Sequence, residues 1–186
     1  MDAFIGRNPD RPLMKPLFVN GVLPDPKGNP LATCIRDVFN GNGGSCAAGE
    51  YDIVLLKPAL NSPDPYPSTT HPLAIRVVAD LLEERGANLV IGDQSRIEHV
   101  LHHPKGVIRG SSRENFIHSG MDEKDDARFV SFEDGGWDEG FYHYQSPNTR
   151  SWPDGFFITR LTKKADHIIS LPRVSTHSQA GVSMAG

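Results

Sequence analysis

The stretches YDIVLLKPAL (residues 51–60) and STTHPLAIRVVADLLEERGANLVIGD (residues 68–93) decide the fold. The first is a continuous apolar run, which is typical of a strand buried on both faces of a parallel sheet. The second predicts a helix and then another buried strand, with Thr70 as N-cap, Pro72 near the first helical position and Gly86 as the C′ residue. Strand, helix and strand together predict a right-handed βαβ unit with a parallel strand pair.

Weaker signals extend this unit in both directions. Apolar residues at helical spacing predict a helix over 29–41, and we expect a short helix near 113–120. Further strands are predicted over 128–134, 156–161 and 166–174, with a loop or hairpin in the aromatic-rich stretch 135–155. This order of elements predicts an α/β fold, a three-layer sandwich with a mostly parallel sheet.

We interpret residues 1–186 as a single α/β domain, with an N-terminal extension (1–50) and a polar insert (94–155). Natural C-termini are usually polar and frayed, whereas residues 171–186 are apolar and small. We therefore expect the chain to stop within a larger domain and to expose apolar surface near 168–186 that further chain covers.

Composition narrows the class of protein. The net charge of −4 lacks the basic footprint of a nucleic-acid-binding protein. No stretch approaches the ~20 apolar residues of a membrane span, and the N-terminus lacks the order of a signal peptide. We expect a cytoplasmic protein that binds neither nucleic acid nor membrane. Cys34 and Cys46 are too few for a disulfide framework or an iron–sulfur cluster and are interpreted as reduced structural thiols.

Ligands of open parallel sheets bind beyond the carboxyl ends of the strands. The residues expected there are Lys57, Asn61, Thr70, His71, Asp93, Arg173, Thr176, His177 and Gly181. Lys57, Arg173 and His177 are expected to bind or protonate an anionic substrate, whereas Asp93 is expected to orient a base or hold a metal. His177 is the strongest candidate, because Gly181 and small neighbours leave room for a ligand.

Each candidate also has a structural interpretation. The alternative for Lys57 is a solvated strand-end cation, for Asp93, Thr70 and His177 it is a cap, and for His71 it is a packing residue. The histidines at 99, 102 and 103 have the spacing of a metal-binding helical face, but no acidic or cysteine partner is evident. We interpret 97–104 as a solvated helix and predict no metal site. The Gly-rich stretch 39–50 precedes the first strand, which excludes a dinucleotide fingerprint or a P-loop there.

Three segments carry a family resemblance: VLLKPAL, TTHPLAIRVVADLLEERGANLVIGD and ADHIISLPRVSTHSQAGVSMAG. Together they resemble the family known as domain of unknown function three-six-two, over about residues 50–93 and 156–186. The chain departs from the family pattern at Ala59, where Asn is usual, and at Ser175, where Lys is usual; Asn61 and Arg173 lie nearby.

The resemblance implies an α/β fold and, in many members, association with ferredoxin-type iron–sulfur domains. An iron–sulfur cluster would have to come from a missing segment or a partner chain. We expect a redox-linked enzyme domain that acts on a small anionic substrate, with a ferredoxin-type electron-transfer partner. The alternative is a non-catalytic module for ligand binding or partner docking. The sequence leaves the substrate, the cofactor and the oligomeric state open.

Overall fold

Four parallel strands form the central sheet of the computed structural model. They are β1 (Ile53–Pro58), β2 (Asn88–Asp93), β5 (Phe129–Ser131) and β8 (His167–Leu171). Their order across the sheet is β5-β2-β1-β8. The structure describes residues 28–41, 48–60, 64–95, 102–103, 106–107, 111–121, 128–149, 151–177 and 181–183. The α/β class with a parallel sheet is confirmed, and so is the parallel pairing of β1 with β2.

Helices flank the sheet. They are α1 (Pro30–Gly41), α2 (Pro72–Glu83), α3 (Ser112–His118), α4 (Gly136–Gly140) and α5 (Leu161–Lys164). The larger core joins α1 and α2 to the sheet face that carries Val54, Leu56 and Ile91. On the opposite face, Leu55 packs with Phe132 and Phe141. Because apolar side chains cover both faces, the arrangement is consistent with the three-layer sandwich that the sequence predicts.

Helix α2 begins at Pro72, as predicted, but its N-cap is His71 rather than Thr70. The His71 Nδ1 atom accepts a hydrogen bond from the Leu73 amide at 3.1 Å. The Thr70 hydroxyl instead donates to the Leu171 carbonyl of β8. At the other end, Gly86 has a φ of 79° and donates to Glu83. This confirms Gly86 as the C′ residue of a Schellman motif.

Outside this unit, one prediction is confirmed and one is corrected. The strand predicted over 156–161 is present as β7 (Phe156–Thr159), which pairs antiparallel with β6 (Phe141–Tyr144) outside the parallel sheet. The helix predicted over 97–104 is wrong at 102–103, because His102–His103 form β3 and pair with β4 (Gly106–Val107). Pro104 disfavours helical backbone at the residue before it, which gives a physical reason for this difference. The histidine at 99 lies outside the described residues.

A last antiparallel pair, β9 (Ser175–His177) and β10 (Gly181–Ser183), follows the sheet. Exposed apolar side chains occur in this part of the chain, as expected, at Ile168 (52%), Val174 (70%) and Val182 (57%). Among the described helices, none combines the length and the hydropathy that crossing a membrane requires.

Candidate functional site

An ion pair lies at the carboxyl edge of the sheet. The Lys57 ammonium, near the end of β1, is 3.1 Å from Asp93 Oδ1 at the end of β2. Side chains alternate between the two faces of a strand, so Lys57 lies on the sheet face of Leu55 and Asp93 on the opposite face, with Ile91. The two side chains therefore meet around the edge of the sheet. The two side chains differ in exposure, 35% for Lys57 and 5% for Asp93. A solvent-accessible cation is therefore held by a buried carboxylate.

The second oxygen of Asp93 is also engaged, because Oδ2 accepts a hydrogen bond from the Leu60 amide at 2.7 Å. Burial raises the pKa of Asp93, and Lys57 and the Leu60 amide only partly oppose that effect. Asp93 thus contacts both the Lys57 ammonium and the Leu60 amide, and its expected roles, orienting a base or holding a metal, stay predictions. No group of three or more His, Cys, Asp and Glu side chains within the described ranges is placed to hold a metal ion.

Thr70 joins β1 to β8 at the same edge. Its buried hydroxyl accepts from the Ala59 amide at 2.8 Å and donates to the Leu171 carbonyl at 2.7 Å. A hydroxyl has one proton to donate, and here that proton is directed at Leu171. Thr70 therefore holds the loop that follows Lys57 in place, and its ligand-binding role stays a prediction.

His71 lies next to Thr70 at the start of α2 and is half-buried, with its ring centroid 4.7 Å from that of Tyr66. Because Nδ1 accepts from Leu73, the neutral imidazole carries its proton on Nε2. The first amides of α2 are engaged within the chain: Pro72 has no N–H, and Ala74 donates to the His71 carbonyl. An anion at this helix start would thus meet the Nε2–H group of His71 rather than a backbone amide.

The remaining predicted site residues lie on the segment after β8. Arg173 is half-buried, Thr176 is exposed in β9, and Gly181 has a φ of 78° with open space around it. The backbone of His177 pairs with Gly181, but the His177 side chain and the whole of Asn61 lie outside what the structure describes. The structure thus brings Lys57, Asp93 and Thr70 to one edge. Convergence of His177 with Lys57 stays a prediction.

Sequence reasoning missed a group of buried polar side chains behind Asp93. They are Ser112 and Asn115 of α3 and Glu133 after β5, and they contact Ser95 or one another. The spacing of Ser112 and Asn115 places both on one helical face, which is a signal that could have been noticed. Glu133 gave no such signal, because it belongs to a stretch predicted as a strand.

Within the described ranges, no side chains are grouped as ligands of an iron–sulfur cluster would be. Such clusters take four cysteine thiolates, or two with two histidines. The chain has two cysteines, of which Cys34 lies half-buried in α1 while Cys46 lies outside the described residues.

The fold and this edge define an α/β protein with a candidate site at the carboxyl ends of its parallel strands. The model of the family described as Domain of unknown function (DUF362) matches residues 54–186, which is most of the chain. The chain therefore belongs to this family. No curated protein and no solved structure gave a significant match.

Proposed function

We propose that this protein binds a small anionic molecule at the carboxyl edge of β1, β2 and β8 and acts on it as an enzyme. The observation that supports this proposal most is the pairing of the Lys57 ammonium, 35% exposed, with the buried Asp93 carboxylate. Ion pairs that are partly desolvated in this way are frequent at functional sites. The site also follows the general location of ligands in open parallel sheets.

In this proposal Lys57 binds the anion. An ammonium group carries three protons, so it can contact Asp93 and an anionic oxygen at the same time. The raised pKa of Asp93 makes its carboxyl accept a proton more readily than an exposed one, which suits proton exchange beside a bound substrate. His71 would donate from Nε2, and Arg173 and His177 would add positive charge from the segment after β8.

Calorimetric titration with inorganic phosphate and with small mono- and dicarboxylates tests the proposal. The informative variant is Lys57→Met with Asp93→Asn, which removes both charges together and avoids a buried unpaired carboxylate. We expect at least a tenfold loss of affinity, about 1.4 kcal/mol, for the best anion of the panel. Lys164→Met is the matched control, because Lys164 is an exposed cation of α5. Unchanged affinity in the double variant would contradict the proposal.

The role of His177 has its own test. We propose that His177→Ala keeps the fold and lowers anion binding, whereas a capping role would lower the unfolding free energy by about 1 kcal/mol with binding intact. A thermal melt beside the titration separates these two results. A variant that melts several degrees lower and still binds normally removes His177 from the site.

We further propose a redox-linked reaction with a ferredoxin-type partner chain and a cytoplasmic location. The family resemblance supports the partner, and the composition of the chain supports the location. No set of cluster ligands occurs among the described residues, so in this proposal the electrons come from the partner's cluster. Mixing the protein with reduced ferredoxin and a reducible anion, a 2-oxo acid that takes up two electrons and two protons to become the 2-hydroxy acid, should speed the reoxidation of two equivalents of ferredoxin, whereas the Lys57/Asp93 double variant should not.

A second candidate function is a non-catalytic docking module. Two exposed apolar side chains favour a docking role: Val174, just before β9, and Val182, in β10. In that case Val182→Ser would weaken partner binding while anion titration would show no difference between wild type and the Lys57/Asp93 double variant.

A further inference from the structure

The loop that follows β1 is held through both backbone groups of one residue, Leu60. Its amide donates to Asp93 Oδ2 at 2.7 Å, and its carbonyl accepts from Ser95 Oγ at 3.0 Å. Leu60 is fully buried, at 0% exposure. Asp93 and Ser95 are two residues apart at the end of β2. The same short segment therefore fixes both the amide and the carbonyl of Leu60.

Ser95 is itself fixed by α3. Its amide donates to Ser112 Oγ at 2.8 Å, and its hydroxyl accepts from Asn115 Nδ2. Ser112 in turn donates twice to Glu133, from its amide at 2.7 Å and from its hydroxyl at 3.1 Å. The side chains in this network all belong to residues that are less than one-tenth exposed.

The direction of each hydrogen bond follows from these contacts. A serine hydroxyl has one proton, and that of Ser95 is directed at the Leu60 carbonyl while that of Ser112 is directed at Glu133. Each hydroxyl also accepts one bond, so its rotation is restricted. Buried networks that are satisfied in this way are rigid and define a single arrangement.

We propose that Ser95 is a positioning residue of the carboxyl-edge site, which fixes the Leu60 peptide so that its amide stays on the Asp93 carboxylate. Asp93 then keeps the orientation in which it holds the Lys57 ammonium. Supporting hydrogen bonds of this kind keep binding groups within the narrow range of geometry that recognition requires. The relevance of this role to ligand binding rests on the proposed function, whereas the positioning itself does not.

The test uses the full chain without ligand. Ser95→Ala removes the hydroxyl that holds the Leu60 carbonyl, and Ser95→Cys keeps a similar shape with a much weaker donor. Ser119→Ala is the matched control, because Ser119 is equally buried (2%) and donates to Phe116 at 2.6 Å outside this network. Two quantities are measured: the titration of the Asp93 carboxyl by carbon NMR, and the hydrogen-exchange rate of the Leu60 amide.

Ser95→Ala should move the Asp93 titration to higher pH, because a weakened hydrogen bond favours the charged form less. The Leu60 amide should exchange about tenfold faster or more. Ser95→Cys should shift both quantities in the same direction by less, and it keeps the test decisive if Ser95→Ala does not fold.

The assignment of Ser95 is overturned if Ser95→Cys leaves both quantities unchanged, or if Ser119→Ala shifts the Asp93 titration as much. A purely structural role would lower the melting temperature of Ser95→Ala and Ser119→Ala alike without separating their Asp93 titrations. Because the measurement needs no ligand, a protein that binds no anion but shows the shift contradicts the proposed function and leaves the assignment of Ser95 standing.

Discussion

Each edge of the central sheet carries a close contact between a basic and an acidic side chain, but the surroundings of the two contacts differ. At the carboxyl edge Lys57 lies 3.1 Å from Asp93, and at the amino edge His167 Nε2 lies 3.2 Å from Asp52 Oδ2. The two bases are almost equally exposed, at 35% and 33%. The two acids are not: the exposed fraction of the side chain is 5% for Asp93 and 36% for Asp52.

This difference in burial reverses the direction of the pKa shift. Both carboxylates accept a backbone amide, Asp93 from Leu60 and Asp52 from Gly49. Burial raises the pKa of Asp93, whereas the Gly49 hydrogen bond, assisted by His167, lowers that of Asp52. The amino-edge pair is therefore an ordinary solvent-exposed contact. At the carboxyl edge, Lys57 favours the charged form of Asp93, which burial disfavours. That contrast makes the carboxyl edge the stronger candidate for function.

The largest expected effect comes from removing one member of the buried pair. Lys57→Met leaves the Asp93 carboxylate buried without its ammonium, and we expect the unfolding free energy at neutral pH to fall by about 3 kcal/mol. His167→Gln at the amino edge should have a clearly smaller effect, since Asp52 stays solvated. Urea denaturation of both variants makes the comparison, and equal losses would remove the distinction between the edges.

The next effect concerns the connection between β1 and β8. Thr70→Val leaves the Ala59 amide and the Leu171 carbonyl without their partner, which should lower the unfolding free energy by about 2 kcal/mol. Thr69→Val is the matched control, because Thr69 is also buried but its hydroxyl donates over a longer distance, 3.3 Å, to the Asp64 carbonyl. If both variants lose the same stability, Thr70 does not have the connecting role assigned to it.

A smaller effect separates the two roles of His71. His71→Ala should lower the unfolding free energy by about 1 kcal/mol through loss of the N-cap, and His71→Asn should restore that loss. If the Nε2–H group contacts the ligand, anion affinity falls in both variants, because the shorter Asn side chain does not place an N–H donor at the Nε2 position. Full affinity in His71→Asn would show that His71 is a cap alone.

The smallest effect is in the pH dependence of stability. The pKa of Asp93 is raised in the folded state. Its contribution to the unfolding free energy is therefore largest below the unfolded pKa, about 3.9, and is lost as pH rises through the folded pKa. The pKa of Asp52 is lowered in the folded state. Its contribution to the unfolding free energy is therefore present above about pH 3.9 and is lost as pH falls through the folded pKa.

Melts from acidic to neutral pH check these signs. Relative to wild type, Asp93→Asn should gain stability as pH rises from 4 to 7, and Asp52→Asn should gain as pH falls below 4. The same sign in both variants would contradict the contrast between the edges.

Much of this edge could be predicted from the sequence because its signals are local. The apolar run that ends at Lys57 and the strand that ends at Asp93 predict where both charges lie. The N-cap of α2 could not be assigned correctly, because the Thr70 hydroxyl donates to the carbonyl of Leu171, which is 101 residues away in the sequence. The Ser95 network was missed for the same reason, since it joins β2, α3 and Glu133 from distant parts of the chain. Long-range contacts of side chains thus mark the limit of what local patterns predict.

Amide chemical-shift mapping tests the central claim, anion binding at the carboxyl edge, most directly. Inorganic phosphate and small carboxylates are titrated into the full chain, and the amides of the two edges are compared. The account predicts saturable shifts at Leu60, Thr70 and Leu73, beside Asp93 and His71, with little change at Ile53 and Asn88 of the amino edge. Larger shifts at Ile53 and Asn88, or spectra unchanged by every anion of the panel, would contradict it.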